Sequence, residues 1–239
     1  GWSVIAVGIA LAYAIPWLPG LRGHVPARDH AASAQVAFRF NSFIGLALAE
    51  RLAGPAGSLE IAVLIGVCVP LVNIAAVWPM ARGGVHGLGR ELSRNPLIIA
   101  TVSGLLANLA GLGLPDWLVP TFNRVGGSAL ALGLMAAGAG IQLGALARAK
   151  LLAVAVLSIR HLVLPLVALA AAYAFGLSHS QATILLAYAA LPTAASCYVL
   201  ASKMGFDGAY VASLVSLSTL LGMLSLPLAL GVLRPLYGV

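Results

Sequence analysis

Eight residues could do chemistry in surroundings that otherwise offer none: Arg39, Asn41, Ser42, Arg160, His161, Pro192, Thr193 and Ser196 all lie within long apolar runs. Arg160 is ten residues into such a run, with Leu and Val around it. A guanidinium there costs at least about 2.5–3.5 kcal/mol, so it marks either a function or a paired partner. Its planar fork suits a carboxylate. His161 titrates near neutral pH and could relay a proton. Neighbouring helix positions point to different faces, so Arg160 and His161 cannot both face one site squarely. Asn41 can offer two donors and an acceptor to a carboxylate or to water, and Ser42 adds a hydroxyl. Pro192 removes a backbone donor and breaks its helix. A bound anion facing a half-helix N-terminus is one partner for the groups so freed, and Thr193 and Ser196 follow at once.

Each of these residues has a plainer reading. Asn41 and Ser42 could bond a neighbouring helix, worth about 0.6–2 kcal/mol in a membrane. Pro192 could be a simple kink, with the hydroxyls of Thr193 and Ser196 bonded back to their own helix. Arg160 could pair with an acid elsewhere or snorkel. Arg39 sits at a cavity mouth or at the cytoplasmic interface. His161 could face the core or lipid. Glu50 and Arg51 read as a solvated pair, and Asn108 and Gln142 as interhelical bonds. No Asp or Glu is evident at membrane depth, the acids standing near run ends or in connectors, which weighs against an exchanger built on a buried carboxylate pair.

The elements that position these residues follow from composition. Of 239 residues, 61% are hydrophobic and 8% charged, where a soluble domain carries about 25% charged residues. Mean hydropathy is +1.03. A water-soluble globule cannot hide that much apolar surface, which excludes a cytosolic enzyme, a disordered chain and a secreted disulfide scaffold. An all-α integral membrane protein remains. The net charge of +7 serves topology and lipid headgroups, since no basic face with interleaved aromatics exists to bind nucleic acid. Cys68 and Cys197 lie in apolar runs, without further Cys or His at ligand spacing. They read as free buried thiols, not as a disulfide or a metal site. No cofactor is expected.

A spanning helix needs about 20 apolar residues. The sequence holds eight such runs, at 2–19, 32–52, 58–81, 95–113, 117–144, 151–175, 180–202 and 208–233. Their period is helical, so a β-barrel is rejected. Gly140 and Gly144 form a GxxxG packing element rather than a dinucleotide loop. Trp2, Trp17, Trp78 and Trp117 lie near run ends, as interface anchors do. The connectors on one side hold Arg22, Arg28, Arg82, Arg90, Arg94, Arg148, Lys150 and Lys203; the other side holds Arg51, Arg124 and Arg234. The first side is therefore expected to be cytoplasmic, with both ends of the chain outside.

An internal repeat organises the runs. With Gly54 set against Gly205, an offset of 151, Phe40-Asn41-Ser42 lies on Leu191-Pro192-Thr193 and Leu48-Ala49 on Val199-Leu200. Equivalent runs stand five helices apart, an odd number, so the copies are inverted in the membrane. Inverted repeats with a site at broken helices near the midplane typify secondary transporters. The same offset places two helices of the first copy before Gly1. The expected architecture is thus about eight spanning helices of a ten-helix, five-plus-five inverted repeat. A complete eight-helix protein is the alternative.

Five stretches carry a resemblance: Phe38 to Gly54 (FRFNSFIGLALAERLAG), Asn95 to Ile99 (NPLII), Asn108 to Gly111 with Leu114-Pro115, Gly138-Ala139, and Leu191 to Leu200 (LPTAASCYVL) with Leu217 to Leu220. On these the chain resembles the auxin efflux carrier family, which includes bacterial malonate and malate permease-like proteins and plant auxin exporters. The resemblance implies transport parts at 1–90 and 151–239, and a scaffold part at 91–150. It implies two broken helices, here runs 32–52 and 180–202, that cross at the substrate site. It also implies both termini outside, a homodimer through the scaffold, and a place in the inner (plasma) membrane.

The expected function is a secondary transporter of a small mono- or dicarboxylate, working by alternating access. Asn41, Ser42, Pro192, Thr193, Ser196 and Arg160 would bind the substrate. His161 and Arg39 are the coupling candidates, with a proton or sodium ion as the coupling ion. No P-loop suggests ATP drive. A sodium-coupled symporter of bile-acid type is the alternative within transport. A non-transporting membrane sensor or scaffold is another. An intramembrane protease would need a nucleophile with a positioned base, and the sequence shows neither GxSxG nor a Ser partner for His161.

Overall fold

A computed structural model describes residues 1–82, 93, 96–139 and 150–237 of the chain. Among them the chain is helical, without strands. The elements are α1 (Trp2–Ala14, extended by a 3-10 turn Ile15–Trp17), α2 (Ala27–Phe38), α3 (Ser42–Arg82), α4 (Pro96–Leu109) and α5 (Val119–Ala139). Then come α6 (Lys150–Ser158), a π turn (Ile159–Val163), α7 (Leu164–Ala174), α8 (His179–Ala190), α9 (Ser196–Lys203) and α10 (Gly208–Tyr237). Arg90, Arg94, Arg148, Gln142, the Gly140–Gly144 packing element and the boundary at 90/91 lie outside the described residues.

Three stretches are long and apolar enough to cross a membrane: Ala27–Arg82, Lys150–Ala174 and Gly208–Val232. The run 180–202 is not among them, although its composition reads as one span. It is cut at 191–195 into halves of 12 and 8 residues. At 1.5 Å per residue neither half crosses a hydrocarbon layer of about 30 Å, so only the pair spans. The long run 27–82 is likewise cut twice. It breaks at 39–41, and again at Ala53-Gly54, where Gly54 has φ +59°. Gly54 turns the chain and Pro55 starts the next helix, a first-turn position at which its missing N–H is no loss. Gly205, with φ +76°, makes the equivalent turn in the second copy.

The buried core is shared by α1, α2, α3 and α6 to α10. Helices α4 and α5 lie against α3, and their apolar side chains, such as Leu106 and Met135, remain largely exposed. Such a surface fits lipid and not water. Trp2, Trp17, Trp78 and Trp117 are exposed near helix ends, and Glu50 and Arg51 are exposed where α3 first bends. Cys68 and Cys197 are buried free thiols. Among the described residues Asn108 is exposed at the end of α4.

Close approach at the centre depends on Gly45. A Cβ there would lie 2.9 Å from a Leu191 methyl carbon. Gly45→Leu is expected to wedge the first arm of α3 away from the second break. Overpacking of this kind costs about 1–3 kcal/mol. Thermal unfolding in detergent should show the loss, with Gly45→Ala milder because the Leu191 tip can swing.

Candidate functional site

The site is built from two interrupted helices that meet. At the first break Arg39 is extended (φ −75°, ψ 147°). Asn41 then caps α3: its Oδ1 accepts the Phe43 N–H at 3.1 Å and the Ile44 N–H at 3.2 Å. An N-cap Asn of this kind satisfies donors that lipid would leave bare. At the second break Pro192 forces Leu191 out of the helix (φ −54°, ψ 143°), as the residue before a proline must go. The Asn41 N–H donates to the Pro192 carbonyl at 2.9 Å. Asn41 and Pro192 are the residues that the offset of 151 equates, and a two-fold relation between inverted copies brings equated residues together at its axis.

A widened turn holds the second break from both sides. Pro165 has no N–H for the His161 carbonyl, and the helix before it loosens into a π turn closed by Leu164 N–H to Ile159 O. Arg160 points one way. Its Nε donates to the Leu191 carbonyl at 2.6 Å and Nη2 to the Tyr188 carbonyl at 3.2 Å. The cation therefore sits on the negative, carbonyl end of α8. His161 points another way. Its ring nitrogens meet Ser225 Oγ and Ser218 Oγ, both at 2.8 Å. Ser218 Oγ in turn accepts the Thr193 N–H at 3.0 Å. One residue thus grips the end of α8 and the next, through Ser218, grips the segment leading to α9.

Beside the crossing lies a cavity of about 180 Å³. Its polar lining is Arg39, Asn41, Ser42, Asn73 and Ser196, with Val69 and Val72 among the apolar residues. Helices α3 and α9 both begin at this cavity, so two positive helix ends converge on it. Arg39 as a whole is 4% exposed. It donates from Nη1 to Gln35 Oε1 and from Nη2 to Ser196 Oγ, each at 2.9 Å. Both partners are neutral. Gln35 is itself fixed by donating to the Cys197 carbonyl at 3.2 Å, which ties α2 to α9. Two larger grooves, between α1 and α3 and between α6–α7 and α10, are lined almost wholly by apolar side chains, as a lipid-facing surface is.

The eight expected residues therefore separate. Arg39, Asn41, Ser42 and Ser196 come together at the cavity. Pro192 and Thr193 form the crossing itself and are buried behind it. Arg160, 1% exposed, spends its donors on the end of α8 and does not line the cavity. His161 lines the apolar groove against α10. Sequence reasoning missed Gln35 and Asn73. Both are polar residues buried in apolar helices, and that signal alone could have raised them. Gln35 meets the Cys197 carbonyl across 162 positions of chain, and the Asn73 nitrogen meets no partner, and neither fact can be read from local sequence.

A comparison with known protein families matches residues 84–230, more than half of the chain, to the family described as membrane transport protein. The chain belongs to this family, that of the auxin efflux carriers. It is a family of membrane transporters, not of enzymes, and its fold is all-helical and membrane-embedded. A comparison with curated proteins finds no match. The part matched to the carrier family contains Arg160, His161, Pro192, Thr193 and Ser196. Arg39, Asn41, Ser42 and Asn73 precede it, and join the site through the crossing.

Proposed function

We propose that this carrier moves small carboxylates across the inner membrane by alternating access, with the cavity at the crossing as the substrate site. The observation that carries this reading is Arg39: a buried guanidinium with only neutral hydrogen-bond partners, lining a cavity where two helices begin. A buried cation without an acid is costly, and a carboxylate in the cavity would supply the missing charge. Asn41, Ser42 and Ser196 border the same space. Arg160, His161, Pro192 and Thr193 then act as positioning residues, holding the break that aims α9.

Residues 1–90 and 151–239 form the moving part in this reading, and 91–150 the scaffold and dimer contact. Drive comes from a proton or sodium gradient or from the membrane potential. The basic connectors orient the carrier with both ends of this chain outside.

The test is uptake of labelled malonate, malate, lactate and an indole acid into proteoliposomes, with and without pH and sodium gradients. Saturable uptake of one acid is expected, and Asn41→Ala should reduce it at least tenfold by uncapping α3 at the cavity. A sodium requirement would favour the bile-acid-type symporter. Absence of flux under every gradient would favour a sensor or scaffold.

A further inference from the structure

Asn73 carries the fully buried polar atom at the cavity that the protein leaves unsatisfied. It lies in the second arm of α3, amid apolar residues, and is 2% exposed. It lines the same cavity as Arg39. Its amide nitrogen is buried without any hydrogen-bond partner in the protein. Beside it, the Asn41 oxygen accepts from two backbone donors, and Arg39 donates to Gln35 and Ser196. The only other buried polar side-chain atom without a partner among the described residues is the Tyr188 hydroxyl, and Tyr188 does not line the cavity. An unpaired amide donor inside a membrane protein is costly, because lipid offers it no substitute partner. An amide can turn about its last torsion and present either end to the space beside it.

We infer that Asn73 reads a second, neutral oxygen on the cargo, so that the preferred substrates are small hydroxy- or oxo-carboxylates. This rests on the proposed anion site. The carboxylate belongs to Arg39 and the two helix ends, which lie on the segments of the breaks. Asn73 comes from a different helical arm and carries no charge. A hydroxyl or carbonyl oxygen next to the carboxylate would satisfy it. A plain hydrocarbon acid would leave it bare, and a site that leaves a buried donor unpaired rejects such a ligand. A dicarboxylate would set its second charge against a neutral amide, with no further cation among the described lining residues.

Competition against labelled lactate uptake in proteoliposomes tests this. Unlabelled pyruvate and lactate should inhibit at concentrations about tenfold lower than propionate, which has the same carbon skeleton without the second oxygen. Malonate should compete less well than pyruvate. In Asn73→Leu, the lactate and pyruvate constants should rise about tenfold, until the three monocarboxylates compete alike. Asn73→Ser, which keeps a donor, should retain part of the preference. Thermal unfolding of Asn73→Leu should be unchanged or shifted upward, because an unpaired donor has gone; a structural Asn would instead give a clear downward shift. Equal competition by propionate in the unaltered protein, or a preference that survives in Asn73→Leu, overturns the inference and leaves the anion site standing. If no carboxylate is carried, or if Arg39→Gln carries them as the parent does, the anion site fails and this inference fails with it.

Discussion

Arg39→Gln raises the KM for carboxylate uptake by at least about a hundredfold, and the protein remains folded. Hydrogen bonds to charged groups contribute about 1.5–3 kcal/mol each, and this substitution removes the only guanidinium among the described residues of the cavity. At about 1.4 kcal/mol per factor of ten, two such bonds account for the loss. The helix ends of α3 and α9 remain and supply what binding persists. Stability should hold or improve, because the deleted charge has no acid to balance it and its partners, Gln35 and Ser196, are neutral. Arg39→Lys keeps the charge but cannot reach Gln35 and Ser196 with one fork, so an intermediate KM is expected. Uptake kinetics and detergent melting curves on the three proteins decide it. Normal uptake by the Gln variant would remove Arg39 from the site.

Arg160→Met has the opposite signature. The protein is destabilised by about 3 kcal/mol, and whatever folds binds substrate with nearly unchanged KM but a lower maximal rate. Methionine fills part of the volume and donates nothing, so in a fully buried place the Leu191 carbonyl loses its arginine donor and the Tyr188 carbonyl keeps only the long bond from the Leu191 N–H at 3.4 Å. Each unsatisfied carbonyl costs about 1–3 kcal/mol. A loss of 3 kcal/mol in a chain of this size corresponds to about 6–12 °C in Tm. The rate falls because the end of α8 no longer fixes the break that aims α9. Arg160→Lys retains a cation at the carbonyl end and should recover part of the stability. A large KM change at normal Tm would instead make Arg160 a substrate ligand, the role its place in the apolar run first suggests.

The two arginines show how much was legible. Both lie in apolar runs near a helix break, and both could serve a carboxylate. Nothing in the spacing separates Arg39, which lines the cavity, from Arg160, which caps α8. The separation depends on where two segments 151 positions apart cross, and on a π turn that turns Arg160 and His161 to different neighbours. Asn73 was hidden for a related reason. A polar residue in an unbroken apolar helix reads as an interhelical bond, and only the packed structure shows that its nitrogen has no such bond.

The helical membrane architecture and the places where its helices break are properties of the sequence itself. Lipid offers no hydrogen bonds, so backbone must be satisfied within each run, and a proline, a capping Asn or a left-handed glycine inside one declares an interruption. Asn41, Pro192, Gly54 and Gly205 declare themselves in this way, and the structure breaks or turns at each. These are short-range effects, carried by a few neighbouring residues. Which side chains share the cavity is a long-range outcome. It was decided by the crossing of α2–α3 with α8–α9, because a side chain reaches only a few ångströms and its partner is chosen by whichever distant segment packing brings within that reach.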